Sequence, residues 1–394
     1  MAKVLHDFLT QEIESLHQKK LFRKLRILEG RQLPQAEFDG HSVVNLSSNN
    51  YLGLNTHPEL IRAALRATEE YGVGSGAVRT IAGTMKIHMA LEEKIARFKQ
   101  VEACVVFQSG FAANAGTVSA ILGKEDIIIS DELNHASIID GCRLSRAEIK
   151  VFPHKNLSAL EGILQETERH PGKKLVITDG VFSMEGDIAP LPQIVELAER
   201  YGAIMMLDDA HSSGVLGRNG RGTVDHYGLH GRVDIQVGTL SKAIGSLGGY
   251  VCGTRTLIEY LYHRARPFLF STSHPPAVAA CCIAAFEVLE KEPRLIERLW
   301  QNTRFFKSGL SRLGFNTGAS ETPITPVIVG KGDLAMRFSD ELFKEGVFAQ
   351  GIGYPTVPEA KSRIRTIVTA THSREQLQFA LDVLEKVGKR LGII

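Results

Sequence analysis

Lys242 stands in the segment Val237-Gly-Thr-Leu-Ser-Lys-Ala-Ile-Gly245, just past an apolar run and among small residues that permit close approach of a ligand. A second apolar run, Ala203 to Leu207, ends in Asp208-Asp-Ala-His211. A lysine amine for an aldehyde, a carboxylate for a protonated pyridine nitrogen and an imidazole for a phenolic oxygen are what pyridoxal 5'-phosphate requires. Most lysines are solvated surface charges, but a buried amine has a lowered pKa and acts as nucleophile and base. Asp208, Asp209 and His211 have a rival reading as metal ligands. No HExxH, second His pair or CxxC accompanies them.

Other groups fit around the same ring. Ser109-Gly110-Phe111 precedes a helix-like segment, and the N–H groups of a helix start can cradle a phosphate. Thr239 and Ser241 could add hydroxyl donors. His135, after Asp131-Glu-Leu-Asn134, could cover the flat face of the ring or be an ordinary structural histidine. Arg363 and Arg365 alternate with Ile364 on a strand-like segment. Either could clamp a substrate carboxylate, and the spacing does not choose between them. Gly72-Val-Gly-Ser-Gly-Ala77 superficially matches a dinucleotide fingerprint, but it follows a helix-like segment and no strand. It reads as a glycine-rich loop near the substrate.

The elements that must position these groups are short apolar runs alternating with helical periodicity. Strand-like runs at 103–107, 126–130, 175–179, 203–208, 235–238 and 248–253 predict a mainly parallel sheet packed between helices. Such sheets bind ligands beyond the carboxyl ends of their strands, which is where every polar signature above falls. Apolar spacing through Leu5, Phe8, Leu9, Ile13 and Leu16 predicts an amphipathic helix over residues 3–29. The expected division is an N-terminal helix and short strand (1–50), a large domain (51–290) and a smaller α+β domain (291–394).

Composition narrows the alternatives. With 394 residues, 43% of them hydrophobic, the chain can bury two cores. A net charge of +2 argues against nucleic acid or an anionic membrane as partner. No apolar run is long enough to span a bilayer, and the first residues lack a secretory pattern, so a cytoplasmic location is expected. Five cysteines without CxxC spacing read as buried free thiols.

Ser48-Asn-Asn-Tyr-Leu-Gly53, Gly83-Thr-Met-Lys-Ile-His88, Asn134-His-Ala-Ser137, Thr178-Asp-Gly-Val-Phe-Ser183, Asp208-Asp-Ala-His211, Gly238-Thr-Leu-Ser-Lys242 and Phe270-Ser-Thr-Ser273 carry a resemblance. Over nearly its whole length the chain resembles the α-oxoamine synthases, fold-type I pyridoxal-phosphate enzymes with a seven-stranded, mainly parallel sheet. The resemblance implies Lys242 as the lysine bound to the cofactor aldehyde, Asp208 on the pyridine nitrogen and His211 at the ring oxygen. It implies His135 stacked on the ring and Ser183 hydrogen-bonded near it. Gly110, Phe111 and Thr239 would hold the phosphate, and Ser271 and Thr272 would reach the phosphate of a partner subunit in a homodimer. Arg365 would clamp the amino-acid carboxylate, with Asn49 nearby. No metal is implied. The implied reaction joins a small amino acid to an acyl-CoA and releases CoA. Val78-Arg-Thr-Ile-Ala-Gly-Thr84 and the ending Gly388 to Ile394 look most like the glycine C-acetyltransferase branch, which joins glycine to acetyl-CoA in threonine breakdown. Tyr354-Pro-Thr-Val-Pro358 and Phe270-Ser-Thr-Ser-His-Pro-Pro276 are similar to the 8-amino-7-oxononanoate synthase branch, which uses alanine and pimeloyl-CoA for biotin, and Thr356 matches a substrate-contacting position there; a sequence between the two patterns also allows a dual specificity.

Overall fold

The computed structural model describes residues 2–19, 22 and 25–394. Two strands, β1 (Gln35–Phe38) and β2 (His41–Asn45), precede a run of seven. These are β3 (Ala103–Phe107), β4 (Ile127–Asp131), β5 (Glu148–Phe152), β6 (Lys174–Asp179), β7 (Ile204–Asp208), β8 (Ile235–Thr239) and β9 (Gly249–Gly253). The last four are β10 (Ile324–Gly330), β11 (Val347–Phe348), β12 (Gln350–Ile352) and β13 (Ser362–Ile367).

The run of seven forms one sheet in the order β3-β9-β8-β7-β6-β4-β5. Pairing is parallel from β5 through β8, and β9 runs antiparallel to both β8 and β3. Strands β4, β6 and β8 are buried throughout, as strands covered by helices on both faces must be. The apolar side chains of the two faces pack into separate clusters. One holds Val105, Ile128, Ile177, Met206 and Val237, the other Ile127, Ile129, Val176, Met205 and Leu207. That alternation is the period-two geometry of a strand. The parallel direction of β4, β6, β7 and β8 puts their carboxyl ends, with the polar groups there, on one side of the sheet.

A smaller three-stranded sheet, β10-β13-β12, is entirely antiparallel. It shares a core with the helices Arg294–Arg312, Gly332–Lys344 and Arg374–Arg390. Strand β2 pairs with β11, and Val44 and Leu46 join this C-terminal core. The chain therefore begins its ordered packing beside its own end.

The N-terminal helix is shorter than its periodicity predicts, spanning Ala2–Gln18. Residues 20, 21, 23 and 24 of the expected helix lie outside the described residues. Downstream the backbone is extended instead: the Glu29 N–H donates to Glu37 O and the Ile27 carbonyl accepts the Asp39 N–H, so pairing along β1 takes these backbone groups of 27–29 from a helix. Among the described residues no helix is long and apolar enough to cross a membrane. All five cysteines are free thiols, four of them buried and Cys281 half-buried.

Candidate active site

The site is built at the carboxyl ends of β4, β6, β7 and β8. Asp179 and Asp208 end neighbouring strands and sit directly opposite one another in register. Asp208 is buried. Its Oδ2 accepts from Asn114 Nδ2 at 2.6 Å and its Oδ1 from the Ala210 N–H at 2.8 Å. Asp179 is also buried, and its Oδ2 accepts the backbone N–H of His135 at 2.9 Å. Burial, reinforced by the neighbouring Asp208 charge, holds the Asp179 carboxyl well above the usual carboxylate range. His135 caps the helix Ala136–Ser145, its Nδ1 accepting the Ser137 N–H at 3.2 Å, and burial lowers its imidazole pKa.

Lys242 lies in the turn between β8 and β9. Burial pulls its amine down to about 8, against the pull of Asp208 and Asp179, which favour the charged form, and with a further push from Arg365. His211 is buried, and its Nδ1 is 2.7 Å from the Tyr51 hydroxyl. Burial, then the charges of Lys242, Arg365 and His135, keep this imidazole neutral. Tyr51 belongs to a quoted motif, yet sequence reasoning assigned it no role. Asn114 was missed altogether, because a lone Asn inside a helix pattern carries no signal of the acid it will face.

The opposite wall is the start of the helix Gly110–Ile121. Ser109 caps it, accepting the Ala112 N–H at 3.1 Å. The Gly110 and Phe111 N–H groups find no acceptor among the described residues. Beside them Gly249 sits opposite both Phe107 and Thr239. A Cβ on Gly249 would lie 2.3 Å from Ser109 O and 2.5 Å from Gly110 N. The Thr239 hydroxyl donates to Gly248 O at 2.9 Å and accepts from Ser241. Two free N–H groups at a helix start, with no side chain in the way, suit a phosphate. Gly249→Ala is expected to cost about 1–3 kcal/mol of stability by overpacking, and to weaken retention of the cofactor about tenfold or more. Denaturant midpoints and equilibrium dialysis check the two effects.

Ser271 and Thr272 come to the same edge. The Thr272 carbonyl accepts from Gln108 Nε2 at 2.6 Å, and Thr272 bridges Val78 beyond the glycine-rich loop. Ser75 of that loop meets the Ser273 hydroxyl at 2.6 Å. The loop thus packs on the Phe270–Ser273 segment, near the mouth of the site.

Arg363 and Arg365 point to one side of β13, as their spacing predicts, but their partners differ. Arg363 is 1% exposed and already paired: it donates to Met184 O and Lys361 O, and its guanidinium meets Glu185 Oε1 at 3.0 Å. Arg365 donates to Ser183 O at 2.6 Å and to Asn49 Oδ1 at 3.2 Å. No carboxylate among the described residues pairs with it. Ser183 therefore enters the site through its carbonyl. Thr356 falls in an exposed turn, its N–H donating to Gly353 O at 3.0 Å, and makes no hydrogen bond to this cluster.

Asp209 turns away from Asp208. Its carboxylate takes Lys99 Nζ at 2.6 Å and both the N–H and hydroxyl of Thr223. The trio Asp208, Asp209 and His211 does not converge on a common point as the metal reading required. The residues that do converge fit pyridoxal 5'-phosphate: an amine, a buried acid, a neutral imidazole and a free helix start.

Residues 41–384 match the family described as aminotransferase class I and II. The chain is 61% identical over 390 residues to an 8-amino-7-oxononanoate synthase of Symbiobacterium thermophilum, covering 99% of this chain and 100% of that one. It is 56% identical over 388 residues to 8-amino-7-oxononanoate synthase 1 of Bacillus subtilis, covering 98% and 99% respectively. Among solved structures, a serine palmitoyltransferase of S. paucimobilis with a bound pyridoxal-phosphate–myriocin adduct superposes with a TM-score of 0.93 at 33% identity, covering 98% of each chain. An 8-amino-7-oxononanoate synthase of Francisella tularensis superposes with a TM-score of 0.76 at 29% identity, over 89% of this chain and 99% of that one. The strand-end amine and acid, the free helix start and these likenesses agree: the chain belongs to the aminotransferase class I and II family, as a fold-type I pyridoxal-phosphate-dependent acyltransferase of the α-oxoamine synthase group.

Proposed function

We propose that the enzyme is an 8-amino-7-oxononanoate synthase, condensing alanine with pimeloyl-CoA and releasing CoA and carbon dioxide. The whole-length 61% identity to a synthase of that name carries this reading. The motif comparison placed glycine and acetyl-CoA first; the names of the relatives reverse that order.

Pyridoxal phosphate, when bound, supplies the electron sink that makes the α-position of the amino acid acidic. This chain's residues do the rest. Arg365, held by Ser183 O and Asn49, receives the substrate carboxylate as a charge-assisted pair. Lys242 Nζ takes the α-proton, its lowered basicity leaving a large neutral fraction near pH 8. Asp208, fixed by Asn114 and the Ala210 N–H, would be the acid that holds the ring nitrogen. His211, oriented by Tyr51, would hold the ring oxygen, and His135 would cover the ring.

The same reading takes the active unit as a homodimer in which Ser271 and Thr272 reach the partner's phosphate. Val73, Ile81 and Phe270 support it, since they stand exposed around the glycine-rich loop and the site mouth, and Phe270 is 70% exposed.

Comparing kcat/KM for alanine with pimeloyl-CoA against glycine with acetyl-CoA tests the substrate choice. The first pair is expected to lead by more than about tenfold, equivalent to roughly 1.4 kcal/mol. A tenfold lead for the second pair would return the enzyme to the acetyltransferase branch.

A further inference from the structure

The segments that carry His135 and Ser183 are also joined by side chains outside the site. His154 follows β5. Its Nδ1 lies 3.0 and 3.2 Å from the two Asp131 carboxylate oxygens, and its Nε2 lies 3.0 Å from Asp187 Oδ2. An ionised carboxylate only accepts, so with one on each side both ring nitrogens donate and the imidazole is a cation. Lys155 doubles the link. Its N–H donates to Asp131 Oδ2 at 3.0 Å and its Nζ to Asp187 Oδ2 at 3.1 Å. The Phe182 ring stands edge-on to the imidazole at 4.3 Å between centroids.

Each acid is tied in turn to a site segment. Asp131 Oδ1 accepts the Leu133 N–H and the Asp131 carbonyl accepts that of Asn134, immediately before His135. The Asp187 carbonyl accepts the Phe182 N–H at 3.1 Å, immediately before Ser183, whose carbonyl holds Arg365. We propose that His154 is a positioning residue for amino-acid binding, a two-armed donor that fixes the His135 segment against the Ser183 segment and so sets where Arg365 lies. This rests on the reading of Arg365 as the carboxylate clamp.

The groups facing His154 are Asp131, Asp187, Lys155 and Glu132, which accepts the His154 N–H at 2.9 Å; Glu321 lies 3.8 Å from Lys155. Burial alone would drain the ring's charge, but the two acids outweigh it and raise the imidazole to about 9. The link is complete below the ordinary imidazole value and is lost as pH rises through about 9.

Hydrogen–deuterium exchange of the holoenzyme tests it, with His154→Phe removing both arms and keeping a ring beside Phe182. Amides of residues 131–137 and 182–188 are expected to exchange about tenfold faster, with the rest unchanged. The alanine KM should rise about tenfold while kcat stays within about threefold. Unchanged protection in both segments overturns the proposal. So does loosening without a change in KM, or a rise spread over the whole chain. Should the variant fail to fold, wild-type holoenzyme is compared at about pH 7.5 and about pH 10 after correction for intrinsic rates. Selective loosening of the two segments supports the link, and equal protection overturns it. Exchange needs no amino acid, so its failure is separable from failure of the clamp, which the Arg365→Ala variant reports.

Discussion

Lys242→Ala should lower turnover by roughly a thousandfold to ten-thousandfold, because one amine both holds the cofactor and moves the substrate proton. Steady-state rates check the size of the loss, and borohydride reduction followed by peptide mass analysis checks its origin. A reduced pyridoxyl label should appear on the peptide holding residue 242 in the wild type and vanish in the variant. Turnover that survives the substitution would remove Lys242 from the mechanism. The pH dependence has a definite sign. The folded-state amine is neutral above about 8, so capture of added cofactor by the apoprotein should accelerate as pH rises toward that value and level off beyond it. An unburied lysine would show that rise only near its ordinary value of about 10.4.

Arg365→Ala and Arg363→Ala should fail in different ways. Removing Arg365 deletes a charge-assisted carboxylate contact worth about 2–3 kcal/mol, so the alanine KM should rise roughly thirtyfold to a hundred-and-fiftyfold. Removing Arg363 leaves Glu185 without its ion-pair partner and two carbonyls, those of Met184 and Lys361, without a donor. The expected effect there is on stability, about 3 kcal/mol, with the KM changed only severalfold. Parallel KM measurements and denaturant unfolding separate the two. Equal rises in KM would show that the clamp is misassigned.

Much of the site was legible because its groups sit at strand ends, where an apolar run stops and a polar cluster begins. Lys242, Asp208, His211, Thr239 and the Ser109–Phe111 helix start all carry that mark, and the fold brings them to one edge of the sheet. Strand β5 escaped notice for the opposite reason. Glu148-Ile-Lys-Val-Phe152 is a short edge strand that alternates charged and apolar residues, unlike the continuous apolar runs of the buried central strands. The N-terminal helix was overextended because its apolar spacing, quoted as far as Leu16, carries no mark of where it stops, while pairing along β1 claims backbone groups of residues 27–29.

The order of apolar runs and helices along the chain, with the residue types at their junctions, determined the fold class and the cofactor. Periodicity is local and survives in sequence. Partner choice is not local. The structure alone decided that Arg363 is paired with Glu185 while Arg365 has no carboxylate partner among the described residues, that Asp209 serves Lys99, and that His154 spans two acids far apart in the chain. Each of these depends on a few ångströms between residues far apart in the chain, and a hydrogen bond has no range beyond that distance.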